Sequence, residues 1–204
     1  MCSRFSAFNI HDAFIKSIIS EDNLISYEKS TVFKTSDFYP NQVAPIILSL
    51  DNQLVLMPMV WGYPGYINKD KPNVKPRPLI NAKSETIDKL HTWKDSVVHR
   101  RCIVPTSGFY EWMHLSNKEK IQYKFNDVKQ ENTYLAGIYK TFSDEKISRF
   151  SIVTTQANES MKDVHDRMPL VILESEIDTW LNDDYQSLYN RSEILLNKEP
   201  LIKT

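Results

Sequence analysis

The chain contains the run Arg101-Cys102-Ile103-Val104-Pro105-Thr106-Ser107-Gly108-Phe109-Tyr110-Glu111-Trp112. Residues 102–105 are apolar enough for a short buried strand, and the end of the run alternates as a second strand does. Side chains of a strand point to its two faces in turn, so Phe109 and Glu111 share one face. We therefore expect Glu111 to be partly buried beside an aromatic ring, where a carboxyl group can donate or accept protons near neutral pH. The alternative is a carboxylate at a strand end, paired with an arginine or lysine.

Short apolar segments separated by turn residues predict further strands on both sides of this run. We place these strands at 46–50, 54–60, 121–125, 134–139, 150–154 and 170–173. Apolar residues at helical spacing predict helices over 12–20, 91–98 and 177–181, the first of them capped by Asp12. Because the strands mostly follow one another through short turns, we expect an α+β fold with a largely antiparallel sheet flanked by helices.

The composition is that of an ordinary globular protein, with 204 residues, a formal net charge of −1 and two cysteines. This length fits one domain, and we expect residues 1–204 to form a single one. The two cysteines form neither a disulfide framework nor a metal set, which favours a reducing, cytosolic setting and a protein without metal or cofactor. No apolar segment approaches the roughly 20 residues of a membrane span, so we expect no membrane partner. The charge balance argues against a generally basic surface but allows a basic groove.

The first four residues, Met1-Cys2-Ser3-Arg4, contain a reactive combination. A small second residue allows the initiator methionine to be removed, and Cys2 then carries an α-amine and a thiol. These groups ordinarily have pKa values of about 8 and about 8.5, so each has a reactive fraction near neutral pH. Such a 1,2-aminothiol condenses with an aldehyde through its amine and closes through its sulfur to a thiazolidine. The alternative is an incidental cysteine on a frayed terminus.

Three internal segments hold further candidate residues. The loop Trp61-Gly62-Tyr63-Pro64-Gly65-Tyr66 is either a lid on the core or a stacking surface for a ligand, and the lysine-rich and proline-rich residues 68–77 form a solvated loop or a phosphate-facing edge. Asn81 lies where a strand turns into a helix that we expect Ser84 to cap, so its amide is either a turn residue or points into a cleft. His165 follows a predicted one or two helical turns at 159–164, and a single histidine is structural more often than catalytic.

Together and in this order, these segments resemble the SRAP family, the SOS-response-associated peptidase-like proteins that act at abasic sites in DNA. The matching blocks span residues 1 to about 173. They are Met1-Cys2-x-Arg4, Trp61-Gly62, Ile80-Asn81-Ala82-x-Ser84-Glu85-Thr86, Arg101-Cys102-x-x-Pro105-x-x-Gly108-Phe109-Tyr110-Glu111-Trp112, Thr154 and His165-Asp166-Arg167-Met168-Pro169. The resemblance also implies that the sheet is barrel-like.

The resemblance implies a covalent reaction with damaged DNA. Mature Cys2 would attack the ring-opened aldehyde of an abasic site in single-stranded DNA and form a thiazolidine crosslink that protects the site during DNA repair. Glu111 and His165 would carry protons in this reaction, and Asn81 would position the N-terminus or the sugar. Autopeptidase activity, which would remove Met1, and lyase-type activity follow from the same resemblance.

The resemblance also implies a set of DNA contacts. Cationic side chains would bind phosphates and make the affinity depend on salt, aromatic residues of the loop would contact bases, and one threonine would line the pocket. The residues at these positions are Arg4, Lys83 and Arg167, Trp61 and Tyr66, and Thr154. We expect a cytoplasmic monomer that is associated with the nucleoid when it is bound to DNA.

Three positions depart from the family pattern. Ser3 replaces a usual glycine, so the terminus has less freedom to turn, and Lys83 replaces a usual arginine, which keeps the charge but loses bidentate geometry. Tyr66-Ile67 replaces a pair that is richer in tryptophan in some relatives, which weakens the case for stacking. None of these departures touches Cys2, Glu111 or His165. Two other functions stay open: a thiol peptidase or amidase with Cys2 as nucleophile and His165 as base, and a non-covalent reader of modified DNA.

Overall fold

The computed structural model describes residues 2–30, 36–66, 69–70, 73–116, 118–143, 145–182 and 184–201. The strands are β1 (Phe5–Ser6), β2 (Asp37–Phe38), β3 (Val43–Leu50), β4 (Gln53–Trp61), β5 (Asn81–Lys83), β6 (Arg101–Thr106), β7 (Phe109–His114), β8 (Lys120–Asp127), β9 (Thr133–Lys140), β10 (Arg149–Gln156), β11 (Arg167–Pro169), β12 (Val171–Ile172) and β13 (Leu196–Leu201). The helices are α1 (Ala13–Ile18), α2 (Glu21–Lys29), α3 (Ser84–Ile87), α4 (Lys94–His99) and α5 (Ile177–Leu181), with 3-10 turns at Glu174–Glu176 and Tyr185–Tyr189.

The larger sheet closes on itself. Its strands run β10-β4-β3-β6-β9, and β9 pairs in turn with β10, so this path is a ring. The pairings are antiparallel except where β10 meets β4 and β5. The predicted α+β class and the barrel-like, largely antiparallel sheet are therefore confirmed.

A smaller sheet, ordered β13-β8-β7-β1-β2, packs against the barrel sheet and shares a core with it. Cys102 and Val104 of β6 point into this shared core, which we call the inner cluster and which also contains Phe109 of β7. The intervening Ile103 points to the opposite face and packs with apolar residues of the helices, such as Trp93. Strand β6 is therefore buried on both faces, which explains why residues 102–105 lack polar alternation.

Most local predictions are confirmed. The Asp12 side chain accepts a hydrogen bond from the Ile15 N–H at 3.0 Å and caps α1, and the 177–181 helix is α5. The predicted Ser84 cap is wrong: Ser84 is the first helical residue of α3, and Lys83 precedes it without a side-chain cap. The one or two helical turns predicted at 159–164 are observed as successive turns, in which the Lys162 and His165 N–H groups bond the carbonyls four residues before them at 2.9 and 3.1 Å. The sequence patterns did not predict α2 or β13, since neither carries a clear apolar period.

The outer edge of β4 is covered by the segment that holds α1 and α2. The Asn23 side chain of α2 accepts a hydrogen bond from the Leu56 N–H at 2.7 Å and donates one to the Leu56 carbonyl at 3.4 Å, as a neighbouring strand would. Ile19 forms a bridge with Leu54, and Pro58 has no N–H to satisfy. This edge of β4 is therefore closed by a side-chain amide over part of its length.

Arg101 joins β6 to two helices. The guanidinium is nearly buried and lies 4.5 Å from the Tyr185 ring centroid. It donates hydrogen bonds to carbonyl oxygens at the C-terminal ends of α4 and α5, which have no partner within a helix. The acceptors are Val97, Val98, Trp180, Leu181 and Asn182, at 2.5 to 3.1 Å.

We expect the Arg101→Met substitution to lower the free energy of unfolding by about 3 kcal/mol, because it leaves several buried carbonyl groups without donors. Urea denaturation followed by tryptophan fluorescence measures the change. Arg100→Met is the matched control, since Arg100 is more exposed and makes its side-chain contacts with Tyr139 and Asp95. Equal losses in the two variants would contradict this role for Arg101.

Candidate functional site

Cys2 lies in the interior of the protein. Its side chain is fully buried in the inner cluster, and its Sγ atom lies 3.5 Å from the Arg4 carbonyl oxygen. The chain enters this position because β1 is held between β2 and β7, where Phe5 pairs with Phe38 on one side and Phe109 on the other. The terminal segment is therefore not frayed at Cys2.

Glu111 is the titratable neighbour of the Cys2 thiol. It is 4% exposed, on the face of β7 that it shares with Phe109, and its Oε2 atom accepts a hydrogen bond from the Trp112 N–H at 3.4 Å. Burial, and after it the negative charge of Glu111, raises the pKa of the Cys2 thiol to about 12. The thiol is therefore protonated at neutral pH.

Asn81 holds the backbone beside this thiol. Strand β5 lies parallel to β10, with Asn81 opposite Ile152, and the Asn81 Nδ2 atom donates a hydrogen bond to the Cys2 carbonyl at 3.0 Å. The Oδ1 atom of the same amide is buried and has no hydrogen-bond partner among the described residues. The amide therefore presents an acceptor close to the N-terminal residue.

His165 has a defined ring orientation. Its Nδ1 atom accepts a hydrogen bond from the Arg167 N–H at 2.9 Å and lies 2.8 Å from the Oδ1 atom of the exposed Asp166. Nδ1 therefore faces a backbone N–H donor and a carboxylate acceptor, and these two contacts fix the orientation of the imidazole ring. The flanking Met161 and Met168 belong to the inner cluster, as Cys2 does.

Arg167 connects β11 to α3 and β10. The Nη1 and Nη2 atoms donate hydrogen bonds to the two carboxylate oxygens of Glu85 at 2.5 and 3.0 Å. Nη2 also donates to the Thr154 carbonyl at 2.8 Å, while the Thr154 hydroxyl donates to the Ala82 carbonyl at 3.4 Å. Thr154 is thus fully buried beneath the arginine, and the exposed Lys83 lies opposite it in the β5–β10 pair.

Arg4 is held by side chains of β2 and β8. Its Nη2 atom donates to Asp37 at 3.0 Å and its Nη1 atom donates to Gln122 at 3.2 Å. The guanidinium also lies 4.1 Å from the ring centroid of Tyr110. Both arginines predicted to contact phosphate are therefore bound to a carboxylate.

The two aromatic residues of the loop have different positions. Trp61 is fully buried: its Nε1–H donates to the Ile80 carbonyl, and its ring packs against Phe5 and Phe150. In this structure the ring has no face open to a base, and the stacking role of Trp61 stays a prediction. Tyr66 is 70% exposed and bonds Thr92 through its hydroxyl.

Some sequence predictions fall on positions beyond the described residues. Met1, Ile67, Asn68, Lys71 and Pro72 are among them, whereas Lys69, Lys75 and Arg77 are described and exposed. Asp37 and Gln122 were missed, because no local pattern pairs either with Arg4. Glu85 belongs to one of the matching blocks, but the sequence assigns it no role. Its place beside Arg167 follows from the pairing of β10 with β5 and β11.

The described residues contain no cluster of three or more histidine, cysteine, aspartate or glutamate side chains that could hold a metal ion. Among the same residues, no helix is both long and apolar enough to cross a membrane.

The chain matches one known protein family over nearly its whole length. A family model described as SOS response associated peptidase (SRAP) matches residues 1–201, and the chain belongs to this family. The abasic site processing protein YoqW of Bacillus subtilis is 30% identical over 187 residues, which cover 89% of this chain and 80% of that protein. The abasic site processing protein YedK of Escherichia coli is 28% identical over 192 residues, which cover 90% of this chain and 81% of that protein.

Solved structures support the same fold. A crystal structure of a protein from Bacteroides thetaiotaomicron superimposes with a TM-score of 0.78 and 23% identity, covering 98% of this chain and 92% of that one. A protein from Bordetella bronchiseptica superimposes with a TM-score of 0.73 and 18% identity, covering 99% of this chain and 100% of that one. At these identities the likeness concerns the fold.

We expect both thiols to be unreactive in the folded protein, because Cys2 and Cys102 are fully buried and burial raises the pKa of each. A disulfide reagent at pH 8 should modify neither thiol within minutes, and both should react in guanidinium chloride. For Cys2 the reaction should accelerate as the pH rises toward about 12, because the thiolate is the nucleophile. Rapid modification of the folded Cys102→Ala variant at pH 8 would contradict the buried position of Cys2.

Proposed function

We propose that this protein captures abasic sites in single-stranded DNA through a covalent bond to Cys2. One observation carries the proposal: the Cys2 thiol is buried beside the Glu111 carboxylate while Asn81 holds the Cys2 carbonyl. The names of the relatives YoqW and YedK, both abasic site processing proteins, support the same substrate. The reactive group on the DNA is the aldehyde of the ring-opened sugar.

The reaction begins after the Met1–Cys2 peptide bond has been hydrolysed, which consumes one water and frees the Cys2 α-amine. The amine adds to the aldehyde carbon to give a carbinolamine, which loses one water to form an imine. The Cys2 sulfur then adds to the imine carbon while the thiol proton is transferred to the nitrogen. The product is a thiazolidine, in which carbon is bonded to both nitrogen and sulfur of one residue.

The raised pKa of the Cys2 thiol sets the order of these steps. With a thiol pKa of about 12, almost no thiolate exists near neutral pH, so the amine is the first nucleophile. Ring closure then needs a base for the thiol proton, and the Glu111 carboxylate is the neighbour that can accept it. The Glu111 carboxylate thus disfavours a free thiolate before the imine forms. It accepts the thiol proton only when the sulfur adds to the imine carbon.

His165 supplies the complementary proton donor. While Nδ1 binds the Arg167 N–H, we assign the proton donor to the Nε2–H of the ring. In our proposal this N–H assists ring opening of the sugar and departure of the carbinolamine hydroxyl as water. Asn81, through its Oδ1 acceptor, positions the amine that is formed when Met1 is removed.

The direction of the thiol pKa also bears on the competing functions. A thiol peptidase acting on other chains needs a nucleophile whose pKa is lowered, and here the pKa of the Cys2 thiol is raised. Non-covalent binding of DNA does not require a buried thiol beside a carboxylate. Both observations favour aldehyde capture.

We expect protein that lacks Met1 to gain the mass of a single-stranded oligonucleotide only when the oligonucleotide contains an abasic site. Cys2→Ala should give no stable adduct, because the remaining amine forms only a reversible imine. Cys102→Ala, the control, removes the other buried thiol and should react as the parent does. Intact-mass spectrometry after denaturation measures all three proteins.

The same experiment separates the alternatives. A Cys2→Ala protein that crosslinks as well as the parent would refute capture by Cys2. Binding without any adduct in the parent would point to a non-covalent reader, and hydrolysis of supplied peptides would point to a peptidase.

We expect Glu111→Gln to slow adduct formation by roughly a hundredfold, because the base for the thiol proton is lost. The substitution also removes the negative charge that helps to raise the thiol pKa, so a reaction limited only by thiolate supply would become faster. Single-turnover rates from quenched gels distinguish the two cases. Glu145→Gln is the control, since Glu145 pairs with Arg149, the first residue of β10, and has no place in the proposed reaction.

A further inference from the structure

The two arginines predicted to contact phosphate, Arg4 and Arg167, share an unexpected feature: each is paired with a carboxylate. Asp37 binds Arg4 through one contact at 3.0 Å, and Glu85 binds Arg167 through two. Arginines that serve only to attract phosphate gain nothing from such partners. The carboxylates therefore require an explanation of their own.

The pair of Arg167 and Glu85 is the more informative because its two members differ in exposure. The Arg167 side chain is 12% exposed and the Glu85 side chain 42%. Both terminal nitrogens of the guanidinium donate to Glu85, and Nη2 also donates to the Thr154 carbonyl behind it. The carboxylate is thus the more solvent-accessible partner, and an incoming phosphate meets its negative charge along with the arginine.

We propose that Glu85 is a specificity-determining residue that keeps the non-covalent affinity for undamaged DNA low. By neutralising Arg167 it removes one cation from the electrostatic attraction that acts on every phosphate, whatever the sequence or damage. Retention of the protein on DNA then depends on the covalent step, which only an aldehyde allows. This inference rests on the proposed function and adds a cause of selectivity to it.

The decisive substitution is Glu85→Gln, which keeps the size of the side chain and removes its charge. We expect it to strengthen binding to an undamaged single-stranded oligonucleotide by roughly threefold to tenfold at low salt. The plot of log affinity against log salt should become steeper by about 0.7, which corresponds to one additional phosphate contact on a single strand. Fluorescence anisotropy at several salt concentrations measures both quantities, and no covalent adduct complicates them.

Two matched variants isolate the effect. Glu145→Gln makes the same change of net charge in another arginine–carboxylate pair, in which Arg149 Nε donates to both Glu145 oxygens at 2.7 and 2.6 Å. Arg149 lies five positions before Thr154 on β10, roughly 16 Å along the strand. We expect the DNA affinity of Glu145→Gln and its salt dependence to match those of the parent. Glu85→Asp retains the negative charge and should also bind as the parent does.

Unchanged or weaker binding by Glu85→Gln overturns the inference, and weaker binding would identify Glu85 as a residue that positions Arg167 for phosphate. Equal strengthening by Glu145→Gln also overturns it, because net charge alone would then be the cause. The proposed function is judged separately, by adduct formation of the parent with abasic DNA. If the parent forms the adduct while Glu85→Gln shows no gain in affinity, only the inference about Glu85 is refuted. If the parent forms no adduct, the proposed function is refuted, and the inference that rests on it falls too.

Discussion

The structure depends on the insertion of the N-terminal segment between β2 and β7. Backbone hydrogen bonds hold it on the β7 side, from the Ser6 N–H to the Gly108 carbonyl at 2.8 Å and from the Tyr110 N–H to the Arg4 carbonyl at 3.0 Å. Residues that precede a strand held in this way have little freedom, so Cys2 is drawn into the inner cluster. Its burial, its raised pKa and its contact with Asn81 all follow from this one arrangement. A thiol on a free terminus would have none of these properties.

The parts of the site that sequence predicts well are those that local rules govern. The alternation around Glu111 places it on the face it shares with Phe109, and Glu111 is buried there. The Asp12 cap and the 177–181 helix are equally local. In contrast, no local pattern predicts the contacts of Arg101, because the carbonyls that it binds come from two helices far apart in the chain.

The errors have the same origin. Ser84 suits a helix cap by residue type, but the backbone of β5 extends through Lys83 to pair with β10, and this pairing decides where α3 begins. Trp61 suits a ligand loop by its neighbours, but it ends β4 and lies under the sheet with Phe150. The pairings of Glu85 and Asp37 with arginines join distant segments, so no spacing in the sequence reveals them. Tertiary contacts thus overrode residue preference where strands meet.

Helix α2 illustrates a different demand on the chain. None of its residues is fully buried, and the helix contacts the core through the partly buried Leu24 and Tyr27. Its Asn23 nevertheless occupies the backbone groups of Leu56 that an open β4 would present to other molecules. Exposed strand edges are templates for pairing between chains, and proteins protect them with prolines, charges or covering segments. In this protein Asn23, Pro58 and the bridge at Leu54 together leave part of the outer edge of β4 without free backbone groups, so a strand of another chain has no template there.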